Sequence, residues 1–138
     1  MIILDTNVIS EVFTPAPNRK VMDWLQQQDE GVLFTTSITR GELLFGVQIL
    51  PRGRRRDTLY AGLLRIFQTR FYGRILPYDE AAADAHAEIA ARRRALGKPS
   101  SQSDLMIAGI ARAQSATLAT RNVSDFENCD ISLIDPWH

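Results

Sequence analysis

The 138-residue chain is 45% hydrophobic and 23% charged, which excludes a disordered protein and suits one domain with a substantial core. Sixteen basic residues balance sixteen acidic ones, so net charge alone indicates no nucleic-acid partner. The single cysteine, Cys129, excludes an internal disulfide. We recognise neither a signal peptide nor a membrane-spanning run of about 18 apolar residues. We therefore expect one soluble, cytoplasmic domain over residues 1–138.

Strand and helix patterns alternate along the chain. In order, they predict a strand at 1–4, helices at 6–13 and 18–28, a strand at 32–36, helices at 37–50 and 56–71, a strand at 74–78, helices at 79–96 and 100–114, and strands at 116–120 and 131–134. This alternation is typical of an α/β domain with a mainly parallel sheet, in which functional groups gather at the carboxyl ends of the strands.

Polar residues follow two of the predicted strands at that end. Asp5 comes directly after the first strand, and Asn122 and Asp125 follow the strand that ends at Thr120. Because parallel strands end at the same edge of a sheet, we expect these side chains to converge.

Two further carboxylates lie on helix faces that are otherwise apolar. Glu42 shares a predicted face with Phe45 and Ile49, and Asp104 shares one with Ile107. A carboxylate on a buried face is costly unless it is paired or binds a cation.

Helix capping is an alternative explanation for each position taken alone. Asp5 could cap the first helix, Asn122 could belong to a turn, and residues 39–42 and 101–104 both match the capping-box pattern. Capping does not explain why acidic groups head two inward-facing helix stripes, or why polar residues follow two predicted strands at the same end of the sheet. If these helix starts and strand ends converge, their oxygens form one acidic pocket. Carboxylates held together repel one another, and a divalent cation relieves the repulsion. An all-oxygen site suits Mg²⁺ or Mn²⁺, ions that support hydrolysis of phosphodiesters.

Four segments in this order and spacing resemble the PIN-domain ribonucleases, and among them the VapC-type toxins, including the FitB-like branch. The segments are ILDTNVIS at 3–10, TRGELLFGV at 39–47, SDLMIAGIA at 103–111 and LATRNVSDF at 118–126. The resemblance covers essentially the whole chain. It implies a PIN-like α/β/α sandwich and a Mg²⁺-dependent endoribonuclease, with Mn²⁺ as the alternative ion.

The resemblance also implies roles for individual residues. Asp5, Glu42 and Asp104 would form the acidic site, and Asp5 and Asp104 would be the direct metal ligands. Thr6 and Thr120 would support the site.

The fourth position departs from the commonest pattern of the family. Many relatives have Asp after the Thr-Arg pair, whereas this chain has Asn122. Its amide oxygen can coordinate a metal or orient a water, but it carries no charge. Asp125 would supply the missing charge or only hold the loop. We therefore expect one firmly bound ion.

Arginines near these segments could hold an RNA backbone. Arg52, Arg54, Arg55 and Arg56 are expected in a loop between helices and are the better candidates for RNA contact. The arginines at 92–94 are expected to form a solvated face.

The resemblance further implies a homodimer and a cognate VapB-like antitoxin that blocks the acidic site and carries the DNA-binding part, so that DNA would be contacted only indirectly. The apolar helices at 37–50 and 56–71 would offer a groove for a partner, although such stripes are more often core.

Other functions remain as alternatives at this point. A non-catalytic protein could use the acidic pocket to dock a basic partner, and Asn122 favours this slightly. A phosphotransfer site would need an Asp at position 7 or Walker glycines, which the chain lacks. His86 and Glu88 are similar to part of a deaminase motif, but its cysteines are missing.

Overall fold

The computed structural model describes residues 1–138 and contains a five-stranded, entirely parallel sheet flanked by six helices, which confirms the predicted α/β class. The strands are β1 (Ile2–Leu4), β2 (Leu33–Thr36), β3 (Ile75–Leu76), β4 (Thr117–Ala119) and β5 (Ser132–Ile134). The helices are α1 (Thr6–Val12), α2 (Arg19–Gln27), α3 (Ser37–Gln48), α4 (Arg54–Thr69), α5 (Glu80–Ala95) and α6 (Gln102–Ala113). Two short 3₁₀ turns, Glu30–Val32 and Val123–Phe126, were not predicted.

Strand β1 lies at the centre of the sheet, whose order is β3-β2-β1-β4-β5. It pairs in parallel with β2 through Ile2 and Leu33 and with β4 through Ile3 and Leu118. The ladder extends one step past β1, because the Asp5 backbone N–H donates to the Ala119 carbonyl over 2.9 Å. The central strand therefore delivers Asp5 to the middle of the carboxyl edge.

The core has two parts, one on each face of the sheet. Because side chains alternate along a strand, Ile3 packs with α5 and α6, whereas Leu4 packs with α1 and α4. Both faces of β1 are thus covered, which explains why the first strand is a continuous apolar run rather than an alternating one. The arrangement is the predicted α/β/α sandwich.

Helices α5 and α6 pack closely at a glycine. A Cβ added at Gly109 would lie 2.5 Å from the Ala82 carbonyl oxygen and 3.1 Å from the His86 Cβ. Only a residue without a side chain allows this approach, which fixes how α6 lies against the sheet and therefore where its first turn presents Asp104.

The placement of two arginine clusters differs from the prediction. Helix α4 begins at Arg54, so Arg54, Arg55 and Arg56 form its first turn, and only Arg52 lies in the preceding loop. The arginines at 92–94 were expected to be solvated, but Arg93 is 4% exposed and donates to the Glu127 carbonyl. That carbonyl belongs to a loop distant in sequence, which helix periodicity does not reveal.

None of the six helices combines the length and the apolar character that a helix needs to cross a membrane.

Candidate metal-binding site at the carboxyl edge of the sheet

Asp5 is the buried centre of the carboxyl edge, with 4% of its surface exposed. One of its carboxylate oxygens accepts from the Thr6 backbone N–H and the other from the Thr120 hydroxyl, each over 2.8 Å. Asp5 therefore caps α1, as the capping alternative predicted, and still belongs to a larger cluster. Capping and site membership are compatible.

The pKa of Asp5 is raised from its ordinary value of 3.8 to about 6, chiefly because burial disfavours its charged form. The hydrogen bonds from Thr120 and Thr6 oppose this rise, whereas the negative charges of Asp104 and Glu42 add to it. The two acidic helix residues named in the sequence are therefore close enough to interact electrostatically with Asp5.

Glu42 joins the cluster through Thr6. The Thr6 hydroxyl donates to the Glu42 carboxylate over 2.9 Å and lies 3.0 Å from the Thr39 hydroxyl. The predicted burial of the Glu42 face is wrong, because Glu42 is exposed and its neighbours Phe45 and Ile49 are 64% and 66% exposed. Helix α3 packs inward with Thr39 and its other side instead.

Asp104 lies in the first turn of α6, opposite Asp5. Its backbone N–H donates to the Ser101 hydroxyl over 3.2 Å, so half of the predicted capping box forms. The pKa of Asp104 is raised, first by burial and then by the charges of Asp125 and Glu42, while the hydrogen bond from Ser101 opposes the rise. The apolar face behind it, including Ile107, is buried as predicted. The second predicted capping box, at residues 39–42, does not form, because Thr36 caps α3.

The loop after β4 carries Asn122 and Asp125. The Asn122 backbone N–H donates to the Thr120 hydroxyl over 3.1 Å, but its exposed side chain caps no helix. Asp125 lies in the turn Val123–Phe126, and its charge raises the pKa of Asp104. The turn thus brings a negative charge, rather than only the amide, to the Asp104 side of the edge.

No protein cation forms an ion pair with these carboxylates, although the charge of Arg93 lowers the pKa of Asp104. The ion pairs of the structure are Arg70–Glu30, Arg112–Glu88 and His138–Asp135, and none of them includes a carboxylate of the acidic cluster. The structure contains no group of three or more His, Cys, Asp or Glu side chains already arranged to hold a metal ion. Mg²⁺ is commonly held by one or two carboxylates and several waters, so the all-oxygen donor set of Asp5 and Asp104, which forms no ion pair, fits that ion.

The two arginines next to the acidic segments are held over aromatic rings. The Arg40 guanidinium lies 5.2 Å from the Phe67 ring centroid, and that of Arg121 lies 5.1 Å from the ring centroid of Trp137. The Arg121 backbone N–H also donates to the Asn7 side chain over 3.2 Å. No sequence pattern indicates the contact between Arg121 and Trp137.

Four further arginines belong to a second feature, the segment 50–56, which we call the basic turn. It encloses a cavity of about 260 Å³ lined by Arg52, Arg54, Arg55 and Arg56. Arg56 donates to the Gln48 side chain over 2.5 Å, and none of the four forms an ion pair. Because the positive charges of these four guanidinium groups repel one another, an anion bound in the basic turn would relieve that repulsion.

Another cavity, about 500 Å³, is apolar and lies between α1, α2, β2 and α4. Val8, Met22, Leu25 and Ile66 are among its lining residues. The predicted groove was placed on the helices at 37–50 and 56–71, and only the second contributes to this cavity.

Comparison with known proteins gives a consistent result. The family model described as "PIN domain" matches residues 2–130. The chain is 38% identical to "Toxin FitB" of Neisseria gonorrhoeae over 100% of this chain and 99% of that protein. It is 37% identical to "VapC ribonuclease Y4jK" of Sinorhizobium fredii, over 99% and 98% of the two chains. The solved structure of "FitAB bound to IR36 DNA fragment" superposes with a TM-score of 0.95 at 37% identity, covering 100% of this chain and 96% of that one.

Proposed function

The chain belongs to the PIN-domain family and, within it, to the VapC-type toxins of toxin–antitoxin systems, and from this premise we propose that residues 1–138 form a Mg²⁺-dependent endoribonuclease. Its relative from Sinorhizobium fredii bears the name ribonuclease, which supports hydrolysis of RNA phosphodiester bonds. The observation that carries the proposal is the group of carboxylates around buried Asp5, none of which forms an ion pair with a protein cation.

Asp5 and Asp104 would hold the Mg²⁺, with Mn²⁺ as a substitute. A bound ion of this kind supplies an activated water and stabilises charge on the phosphate. The Thr120 hydroxyl holds one oxygen of Asp5 and the Thr6 backbone holds the other, so the Asp5 carboxylate has a fixed direction. Thr6 also fixes Glu42 through its hydroxyl, which suits Glu42 to accept a proton from water at the exposed side of the edge.

Asp125 is the better candidate for the fourth acidic position, and Asn122 would serve the site through both its backbone N–H and its exposed amide. The charge of Asp125 raises the pKa of Asp104, whereas Asn122 contacts Thr120 only through its N–H. We therefore assign Asp125 to the acidic edge and give the Asn122 side chain the role of orienting water. One firmly bound ion remains our expectation.

The basic turn would bind the RNA backbone. Arg52, Arg54, Arg55 and Arg56 carry charge that no carboxylate compensates, and phosphates are the anions that RNA offers in series. These contacts would position RNA without selecting its sequence.

A cognate VapB-like antitoxin is the proposed partner. The FitAB structure with DNA supports an assembly in which DNA is reached through the partner chain. The apolar 500 Å³ cavity could receive a helix of such a partner, and a homodimer would cover Phe45 and Ile49. Cytoplasmic location stays a prediction.

Cleavage of RNA by the purified chain tests the proposal. We expect cleavage that requires Mg²⁺ or Mn²⁺ and that falls about a hundredfold or more in Asp104→Asn, because a proposed direct ligand of the ion loses its charge. Asp84→Asn is the matched control, since Asp84 is exposed on α5. Absence of cleavage of any RNA with either ion contradicts the enzyme and favours the non-catalytic acidic-pocket protein, which would act with a DNA-binding partner in transcriptional regulation.

A further inference from the structure

Arg121 lies within the carboxyl edge, yet it pairs with no carboxylate. Its neighbour Thr120 donates to Asp5 over 2.8 Å, and its own backbone N–H is held by Asn7. The ion pairs of the structure do not include it. An exposed arginine that directly follows Thr120, and whose backbone is therefore near Asp5, would be drawn to the carboxylates unless another contact held its guanidinium, because opposite charges attract.

Trp137 supplies that reason. The Arg121 guanidinium carbon lies 5.1 Å from the centroid of the Trp137 ring, within the range of a cation–π contact. The ring is itself held in place, because the Trp137 backbone N–H donates to the Asp135 side chain over 2.9 Å and the side chain packs against the core cluster of Leu4. An exposed contact of this kind is worth about two- to fivefold in an equilibrium constant.

We propose that Trp137 holds the Arg121 guanidinium away from the carboxylates of Asp5 and Asp104, which leaves their charge for a divalent cation and leaves Arg121 free to bind an RNA phosphate. Released from Trp137, Arg121 would form charge-assisted hydrogen bonds with the carboxylates and compete with the cation. Trp137 is therefore a positioning residue, and Arg121 is a phosphate contact. The role rests on the proposed nuclease function.

Cation binding without RNA tests the positioning role. We expect Trp137→Leu to weaken Mn²⁺ and Mg²⁺ binding about two- to fivefold by calorimetry, because Arg121 is released toward the carboxylates. Arg121→Gln should bind at least as tightly as the wild type. The double variant should regain the affinity of Arg121→Gln, because the competing cation is gone.

The double variant separates this role from a general loss of packing. If Trp137→Leu merely loosened the fold, removing Arg121 as well would not restore cation binding. A double variant as weak as Trp137→Leu, or a Trp137→Leu chain with unchanged affinity, overturns the proposal. A well-folded wild type that binds neither cation overturns both this proposal and the metal-dependent nuclease.

The phosphate contact is tested by RNA binding at several salt concentrations, using Asp104→Asn in a chelating buffer so that RNA is not cut. Arg121→Gln should weaken binding and reduce the slope of log Kd against log salt by about 0.7, the value for one phosphate contact on a single strand. Arg65→Gln is the control, because Arg65 is exposed and its side chain makes no ion pair. An unchanged slope in Arg121→Gln contradicts the contact, while Mg²⁺-dependent cleavage by the wild type would still stand.

Discussion

Replacing Asp5 by Asn should stabilise the metal-free protein at neutral pH. The substitution keeps the size of the side chain and an oxygen that can accept from the Thr6 N–H, but removes a buried charge. The pKa of Asp5 is about 6 in the folded chain against its ordinary value of 3.8, so folding makes ionisation of this group unfavourable. At 1.36 kcal/mol per pKa unit, this amounts to about 3 kcal/mol at pH 7.5.

The sign of the pH dependence follows from proton binding. Because the raised pKa makes the folded state hold the proton more tightly than the unfolded state, the stability contributed by protonated Asp5 is present at low pH and lost as pH rises from about 4 to about 6. The gain from Asp5→Asn should therefore be about 1 kcal/mol at pH 4.5 and about 3 kcal/mol at pH 7.5.

Urea unfolding in a chelating buffer at both pH values measures this gain. Asp84→Asn makes the same change of charge at an exposed site of α5 and should alter stability by less than about 0.5 kcal/mol. Adding Mg²⁺ should stabilise the wild type at pH 7.5 far more than Asp5→Asn, since only the former presents two carboxylates to the ion. Equal gains at the two pH values, or no gain at pH 7.5, would refute the burial argument.

Two further predictions concern packing and the hydroxyl at Asp5. Gly109→Ala should lower the free energy of unfolding by about 1–3 kcal/mol or more, because its Cβ would meet the Ala82 carbonyl oxygen at 2.5 Å. Gly46→Ala on α3, whose Cβ would have no atom within 4 Å, should instead raise the free energy of unfolding by about 0.5–1 kcal/mol, and thermal unfolding followed by circular dichroism measures both changes. Thr120→Val should raise the pKa of Asp5 further and move the pH midpoint of Mg²⁺ binding upward by about one unit, because the hydroxyl that donates to Asp5 is lost. Thr120→Ser keeps that hydroxyl, so the same shift in Thr120→Ser would contradict a role for the hydrogen bond.

The alternating elements could be predicted because each depends on local pattern. The apolar run before Asp5 predicts a strand covered on both faces, and the topology rule for parallel sheets then predicts that Asp5 and the loop after Thr120 share one edge. The first turn of α6 could be predicted in the same way, since the Ser101 cap precedes a fully buried face.

Other features depend on contacts between distant parts of the chain. Periodicity assigns Phe45 and Ile49 to one stripe of α3, but no local rule says that no element covers this stripe. Arg93 belongs to a run of charge typical of a solvated helix end, and it is buried because the Glu127 loop folds onto it. The turn Val123–Phe126, which brings Asp125 toward Asp104, was likewise outside the predicted elements.

The carboxyl edge keeps its charge through two different devices. The Thr120 hydroxyl and the Thr6 backbone N–H lower the cost of burying Asp5 without cancelling its charge, since both hydrogen bonds lower the pKa while burial raises it. A neighbouring arginine would cancel the charge permanently, and the two arginines adjacent to the acidic segments, Arg40 and Arg121, are held over aromatic rings instead. Above the pKa of Asp5 the remaining repulsion persists, and its cost in stability is free energy that the proposed divalent cation would recover on binding.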